Sequence, residues 1–154
     1  MGKPTLNPFI FYTGKISGYI VWLAMFFSLL KFNFLEKISL GYNDYISYVL
    51  LIPGLILIGI SLINLGSSIR FGLPIKMTKF KTNGLYKISR NPMYLGFDLI
   101  IIASMIYMLN LVVIALGIYC IIIYHFIILA EEKFLEKRFG LEYSNYLKKV
   151  RRYL

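Results

Sequence analysis

Three long apolar runs dominate the hydrophobic pattern of the chain. The first covers about residues 16–35, the second about 45–65, and the third 93–130. A hydrocarbon core about 30 Å thick takes roughly 20 helical residues to cross, because each residue adds about 1.5 Å. We therefore predict one membrane-spanning helix over 16–35 and another over 45–65.

The third run is too long for a single crossing. One helix over residues 93–130 would reach about 57 Å, nearly twice the apolar thickness of a bilayer. Near its middle, Asn110 is strongly polar and also tolerates a turn. We expect the chain to fold back at this residue, so that spans 93–109 and 111–130 form a tight helical hairpin.

The pattern changes after Ala130, where charged and apolar residues alternate at helical spacing. We predict an amphipathic C-terminal helix over residues 131–150, which Gly140 could interrupt. Such a helix lies on the cytoplasmic membrane surface or folds back over the loop at 66–92. Its apolar face holds Leu135, Phe139, Tyr143, Tyr146, Leu147 and Val150.

The composition is that of a membrane protein. Of the 154 residues, 58% are hydrophobic and the mean hydropathy is +0.70, whereas soluble domains are about half apolar. No polar stretch is long enough to make a substantial soluble domain of its own. The predicted fold is therefore all-α: a single integral membrane domain over residues 1–154 with about four transmembrane helices.

The distribution of charge predicts an orientation and limits the partners. Segment 66–92 is basic and has no acidic residue, whereas 36–44 has one lysine and two acids. By the positive-inside rule the former is cytoplasmic, and four spans then place both termini on that side. The net charge of +10 comes from residues that flank the spans, which indicates contacts with membrane lipids and no nucleic-acid partner. The basic residues of 66–92 are Arg70, Lys76, Lys79, Lys81, Lys87 and Arg90.

The Arg-Asn-Pro sequence at residues 90–92 is the first candidate for chemistry. Pro92 suits the first turn of a helix, and Asn91 before it suits the N-cap position. The third span therefore begins here with free backbone N–H groups, which favour a carboxylate or phosphate beside Arg90. Gly96, one turn inside, allows the close approach of a neighbouring helix or a flat ligand.

Two adjacent carboxylates, Glu131 and Glu132, leave the fourth span on the same side. A hairpin brings the start of one helix beside the end of the other, so we expect both glutamates near Arg90 and Asn91. Carboxylates at a helix C-terminus oppose the helix dipole, which suggests a role beyond helix stability. The sequence thus predicts cationic and anionic recognition groups around one pocket.

Three further residues within the spans have polar or reactive side chains. Asp98 is costly in a membrane, and we expect it to face the bundle interior or a wet cavity and to have a partner. We interpret His125, the only histidine, as a packed and hydrogen-bonded residue. Cys120 is the only cysteine and lies in an apolar run, so the chain has neither an internal disulfide nor a cysteine-based metal site.

Two segments carry a resemblance to a known family. GLYKISRNPMYLG, at 84–96, resembles G-x-Y-x-x-x-R-[HN]-P-x-Y-x-G, and EEKFLEKRFGLEYSNYLKKV, at 131–150, resembles E-E-x-x-L-x-x-x-F-G-x-x-Y-x-x-Y. Both patterns are similar to those of isoprenylcysteine carboxyl methyltransferases and the related phospholipid methyltransferases. Asn91 stands where many relatives have histidine, so a proton relay at this position is not expected.

The resemblance implies methyl transfer from S-adenosylmethionine, with S-adenosylhomocysteine as product, to a lipophilic acceptor that enters from the bilayer. The acceptor could be an isoprenylcysteine-like carboxylate, a lipid amine or a small isoprenoid. The resemblance further implies catalytic roles for Arg90 and Glu132, and it requires no metal. Its implied cofactor-binding residues are Asn91, Pro92, Tyr94, Gly96, Glu131 and Glu132.

Two other functions are compatible with the pattern. An enzyme similar to sterol reductases would use NADPH in a comparable C-terminal helical architecture. A non-enzymatic lipid-binding scaffold would hold anionic lipid through its basic loop and tail, and it would not need Glu131 or Glu132.

Overall fold

The computed structural model describes residues 6–32, 34–66, 80 and 82–154. Within these ranges the chain is helical and contains no β-strand, which agrees with the predicted all-α class. A short 3-10 helix over Gly84–Lys87 precedes the third α-helix. The α-helices are α1 (Pro8–Leu29), α2 (Asn43–Leu65), α3 (Pro92–Met108), α4 (Leu111–Phe139) and α5 (Leu141–Lys149). The predicted topology signals Lys3, Arg70, Lys76, Lys79 and Lys81 lie outside the described residues.

Three of these helices, α1, α2 and α4, are long and apolar enough to cross a membrane. Helix α3 is equally apolar but has only 17 residues. The protein is therefore an all-helical membrane protein in the part of the chain that the structure describes.

The first helix starts and ends earlier than the predicted span 16–35. It begins at Pro8 because the side chain of Asn7 accepts a hydrogen bond from the Phe9 backbone N–H at 2.9 Å, and proline occupies the first turn. It ends at Leu29, and Lys31 then adopts a positive φ of 65°. The helix therefore includes Lys15, which precedes the predicted span.

The predicted hairpin at Asn110 is confirmed. Helix α3 ends at Met108, and Leu109 adopts a left-handed conformation with φ of 46°. The side chain of Asn110 caps α4 by accepting hydrogen bonds from the backbone N–H groups of Val112 and Val113, at 3.0 and 3.4 Å. Its amide also donates to the backbone carbonyl of Glu36 at 3.0 Å, which anchors the turn to the connection between α1 and α2.

Helix α4 extends beyond residue 130, where we predicted the end of the fourth span. Helix α4 continues to Phe139, since no helix breaker follows Ala130 until Gly140, which adopts a positive φ of 52°. Only the second half of the predicted C-terminal helix forms a separate element, α5. Its buried face packs against Phe80 and against the end of α4, so it folds back over part of the preceding loop. The residues of this small core are Phe80, Leu135, Phe139, Tyr143, Tyr146, Leu147 and Val150.

Helix α3 is the centre of the bundle, with α1, α2 and α4 packed on it. The closest approach is to α2, where Gly96 faces Gly54. A Cβ atom built on Gly96 would lie 2.7 Å from Ile58 Cγ1 and 2.8 Å from the Gly54 carbonyl oxygen. Gly96 therefore serves the approach of a neighbouring helix, one of the two options that the sequence left open.

We expect the substitution Gly96→Ala to lower the free energy of unfolding by about 1–3 kcal/mol, because the backbone oxygen of Gly54 cannot move away from the added methyl group. Thermal unfolding in detergent measures the change. Gly59→Ala is the matched control: Gly59 lies inside α2, as Gly96 lies inside α3, but no atom stands within 4 Å of a Cβ added at Gly59. That variant should be neutral or slightly more stable, and equal losses in both variants would contradict close helix packing at Gly96.

Candidate functional site

A buried carboxylate, Glu132, is held between two arginines in the C-terminal part of α4. Its Oε1 accepts a hydrogen bond from Arg90 Nε at 3.0 Å. Its Oε2 accepts two from Arg152, from Nε at 3.0 Å and from Nη2 at 2.9 Å. Glu132 is only 8% exposed and the Arg90 side chain only 10%. These contacts define the Glu132 clamp: Glu132, Arg90 and Arg152.

Arg90 also fixes the end of the chain. Its Nη1 donates to the backbone carbonyls of Leu147 and Val150, at 3.2 and 3.1 Å. Its backbone N–H donates to the Arg151 carbonyl at 2.9 Å. All three carbonyl groups belong to residues near the C-terminal end of the chain. Arg90 and Glu132, to which the resemblance gave catalytic roles, thus engage each other and the C-terminal segment.

Asn91 joins the same network. Its side-chain amide donates to Glu132 Oε1 at 3.4 Å and to the Arg152 carbonyl at 3.2 Å. It stands at the N-cap position of α3 but makes no capping hydrogen bond with its side chain, so that part of the prediction is wrong. Pro92 behind it is fully buried at the first turn. The first backbone N–H groups of α3, at Met93 and Tyr94, therefore have no capping side chain.

The surroundings raise the pKa of Arg152 and that of Tyr146. The hydrogen bonds from Arg152 to Glu132 raise the pKa of the Arg152 guanidinium, which keeps it charged in the clamp. Burial raises the pKa of Tyr146 to about 12. Its hydroxyl therefore stays protonated and donates to the Tyr86 carbonyl at 2.6 Å, which ties α5 to the 3-10 helix.

The neighbouring carboxylate, Glu131, faces a different environment. The Tyr94 hydroxyl donates to Glu131 Oε1 at 3.0 Å. Both side chains line a pocket of about 450 Å³, together with Lys15 of α1. The two glutamates lie beside the start of α3, as the sequence predicted. Their side chains point to different places, however: Glu132 into the clamp and Glu131 into the pocket.

The pocket lies between α1 and α2, with α3 behind it and Tyr124 and Glu131 contributed by α4. Its polar end holds Lys15, Tyr94 and Glu131, and its walls are almost entirely apolar. Exposed apolar side chains from both flanking helices form its rim, so the pocket opens sideways to the lipid. The remaining lining residues are Tyr19, Trp22, Met25, Phe26, Leu29, Leu51, Leu55, Ile58, Met93, Phe97, Ile100, Ile101 and Ser104.

Besides the residues of the Glu132 clamp, Asn91 and Pro92, three further residues that the sequence singled out do not line this pocket. Gly96 faces α2. Asp98 has a buried Oδ1 with no hydrogen-bond partner among the described residues, so the expected partner is not found there. His125 is packed and hydrogen-bonded as interpreted: its Nδ1 lies 2.6 Å from the Tyr153 hydroxyl, and the two rings stack.

Sequence reasoning missed Lys15 and Trp22 of α1 as pocket residues, and Arg152 as a partner of Glu132. The Asn7-Pro8 pair was a usable signal for Lys15, because a helix that begins there places this lysine inside the first span. No feature of the sequence indicated that Arg152 would contact Glu132. Its position depends on how the segment after α5 returns to the start of α3.

These features define a class of protein: a helical membrane protein with a lipid-facing pocket that ends at a carboxylate. A family model of phospholipid methyltransferases matches residues 42–142, which is more than half of the chain. The chain belongs to this family, a family of membrane methyltransferases. Among curated proteins, none matches the chain. The matched region includes α2, α3 and α4 but neither α1 nor Arg152.

Proposed function

We propose that the protein transfers a methyl group from S-adenosylmethionine to a lipophilic acceptor that enters the pocket from the bilayer. The observation that carries this proposal is the pairing of Glu131 and Tyr94 at the polar end of an apolar pocket with a lipid-facing rim. Family membership supports the reaction type. The pocket supports a hydrophobic acceptor, because its walls would bury a hydrocarbon part.

We also propose four membrane crossings with both termini in the cytoplasm. Helix α3, at 17 residues, is about 25 Å long, a little less than the apolar thickness of about 30 Å. It is paired with the longer α4 through the Asn110 hairpin, so it crosses most of the bilayer. The basic residues of 66–92 support a cytoplasmic position for the start of α3.

The residues at the polar end of the pocket fit the proposed cofactor. The Glu131 carboxylate in apolar surroundings suits a cation, as do the neighbouring rings of Tyr94 and Tyr124, whose centroids lie 5.5 Å apart. The uncapped N–H groups of Met93 and Tyr94 suit a carboxylate. When bound there, the sulfonium would supply an electrophilic methyl group.

The protein's own residues then have distinct roles. Glu131, oriented by the Tyr94 hydroxyl, attracts and positions positive charge, and the apolar walls exclude water from the reacting groups. The Glu132 clamp and Asn91 hold the start of α3 against the end of α4. We therefore assign Arg90 and Glu132 as positioning residues in place of the catalytic roles that the resemblance implied.

Binding of S-adenosylhomocysteine tests the proposed function. We expect saturable binding in the micromolar range by isothermal titration of the protein in detergent or lipid nanodiscs. Glu136→Ala, an exposed position one turn after Glu132, should bind with unchanged affinity. If a folded preparation takes up none of this ligand, the proposal is wrong, and a rise in melting temperature with NADPH would favour the reductase alternative.

A further inference from the structure

We propose that the pocket admits one hydrocarbon chain of the acceptor, about twelve carbons long, and that contact between Met25 and Ser104 sets this length. The inference rests on the proposed function, because it treats the pocket as the acceptor site. It assigns acceptor selectivity to residues of α1 and α3 that lie at the far end from Glu131.

The length follows from the helix that forms the back of the pocket. On α3 the lining begins near Tyr94, which contacts Glu131, and ends at Ser104. Ten residues of helix rise about 15 Å. An extended backbone spans at most about 3.6 Å for the three bonds of one residue, which is about 1.2 Å per bond, so about twelve carbons of an extended chain reach from one end to the other.

The far end is formed by two buried side chains that touch. Ser104 is 0% exposed and Met25 is 2% exposed. The Ser104 hydroxyl lies 3.5 Å from Met25 Sδ and donates to the Ile100 carbonyl at 2.8 Å. This contact joins α3 to α1, and Leu29, one turn beyond Met25, completes the rim. A longer chain would have to separate these side chains or leave the pocket.

The pocket volume accommodates one chain of this length. If each carbon with its hydrogens takes about the 30 Å³ of a water molecule in the liquid, twelve carbons need about 360 Å³. The pocket holds about 450 Å³.

The α1 wall lies outside the region that the family model matches. Lys15, Trp22 and Met25 all precede residue 42, where the match begins. The part of the pocket that limits chain length is therefore built partly from a segment that the family match does not define. This is the expected place for selectivity particular to this protein.

The single tryptophan of the chain provides a local readout. Trp22 lines the pocket, and no other tryptophan contributes to the fluorescence. Primary n-alkylamines brominated at the last carbon, with about eight to about eighteen carbons, quench tryptophan on contact and carry a cation for Glu131. We expect the apparent affinity from Trp22 quenching in nanodiscs to be highest near about twelve carbons.

Three variants test the length limit without adding a tryptophan. Met25→Ala removes the side chain at the far end and should move the optimum about three carbons longer, whereas Leu51→Phe narrows that end and should move it about two carbons shorter. Ile52→Phe is the control, because Ile52 neighbours Leu51 but is 57% exposed and does not line the pocket. Its optimum should equal that of the unmodified protein.

An affinity that increases with every added carbon, or a failure of the amines to quench Trp22, would overturn the proposal. The unmodified protein alone decides this point even if a variant does not fold. Titration of S-adenosylhomocysteine into the same samples distinguishes a failure of the length limit from a failure of the proposed methyl transfer. A chain-length optimum without nucleoside binding would refute only the proposed reaction, and nucleoside binding without an optimum would refute only the length limit.

Discussion

Replacing Glu132 by alanine is expected to lower the free energy of unfolding by about 3–5 kcal/mol, the largest stability effect that the structure predicts. The substitution leaves the Arg90 guanidinium, 10% exposed, without its carboxylate partner. It also releases Arg152, and with it the segment that follows α5. Chemical unfolding in detergent measures the loss, and limited proteolysis should show faster cleavage of the C-terminal segment.

The control for this variant is Glu136→Ala. Glu136 lies one turn further along α4 and is exposed, so its removal should change stability by less than about 0.5 kcal/mol. Similar, small effects in the two variants would mean that the Glu132 clamp does not hold the C-terminal segment. A Glu132→Ala protein with native stability but no methyl transfer would instead indicate that Glu132 takes part directly in the reaction.

The helical hairpin could be predicted because its signals are local. Residues 93–130 are too long for one crossing, and Asn110 supplies both the turn and the cap of α4. The ends of α1 and α4 were less predictable from average hydrophobicity. The capping side chain of Asn7 and the positive φ of Gly140 set them, and both act at single residues.

The proximity of Asn91 to Glu132 also followed from the hairpin, since the two helix ends must meet. The divergence of Glu131 and Glu132 follows from helix geometry as well, because consecutive residues on a helix point about 100° apart. What the sequence could not indicate is which carboxylate faces the pocket. That depends on where α1 packs on α3 and α4, and on the return of Arg152 to α3, both of which are tertiary contacts.

The pocket itself was beyond prediction from the matched motifs. Its polar end uses Tyr94 and Glu131 from the two motif segments, but one wall comes from α1 and another from α2. Gly96 shows a related limit of reading function from a motif. It is part of the motif, yet its close contact is with Gly54 and Ile58 of α2, so a motif glycine need not touch a ligand.

Replacing Glu131 by glutamine is expected to lower kcat/KM for methyl transfer by about 100-fold or more, with little change in melting temperature. Glutamine keeps the shape of the side chain and an oxygen that accepts from the Tyr94 hydroxyl, so the pocket should stay intact. What is lost is the negative charge at the polar end, in apolar surroundings where a charge acts most strongly on a cationic ligand. Removal of one preorganised group that stabilises charge in a transition state, such as an oxyanion-hole donor, costs about 100- to 1,000-fold in kcat.

The rate of transfer of a labelled methyl group to membrane lipids measures the effect of Glu131→Gln. In the same assay Tyr94→Phe should cause a smaller loss of about 10-fold, because it removes only the hydrogen bond that orients Glu131. Glu132→Gln provides the decisive comparison, since Glu132 lies on the same helix turn but is turned toward Arg90 and Arg152. If Glu131→Gln retains full activity and Glu132→Gln, still folded, loses it, the reacting groups meet at the clamp and not in the lipid-facing pocket.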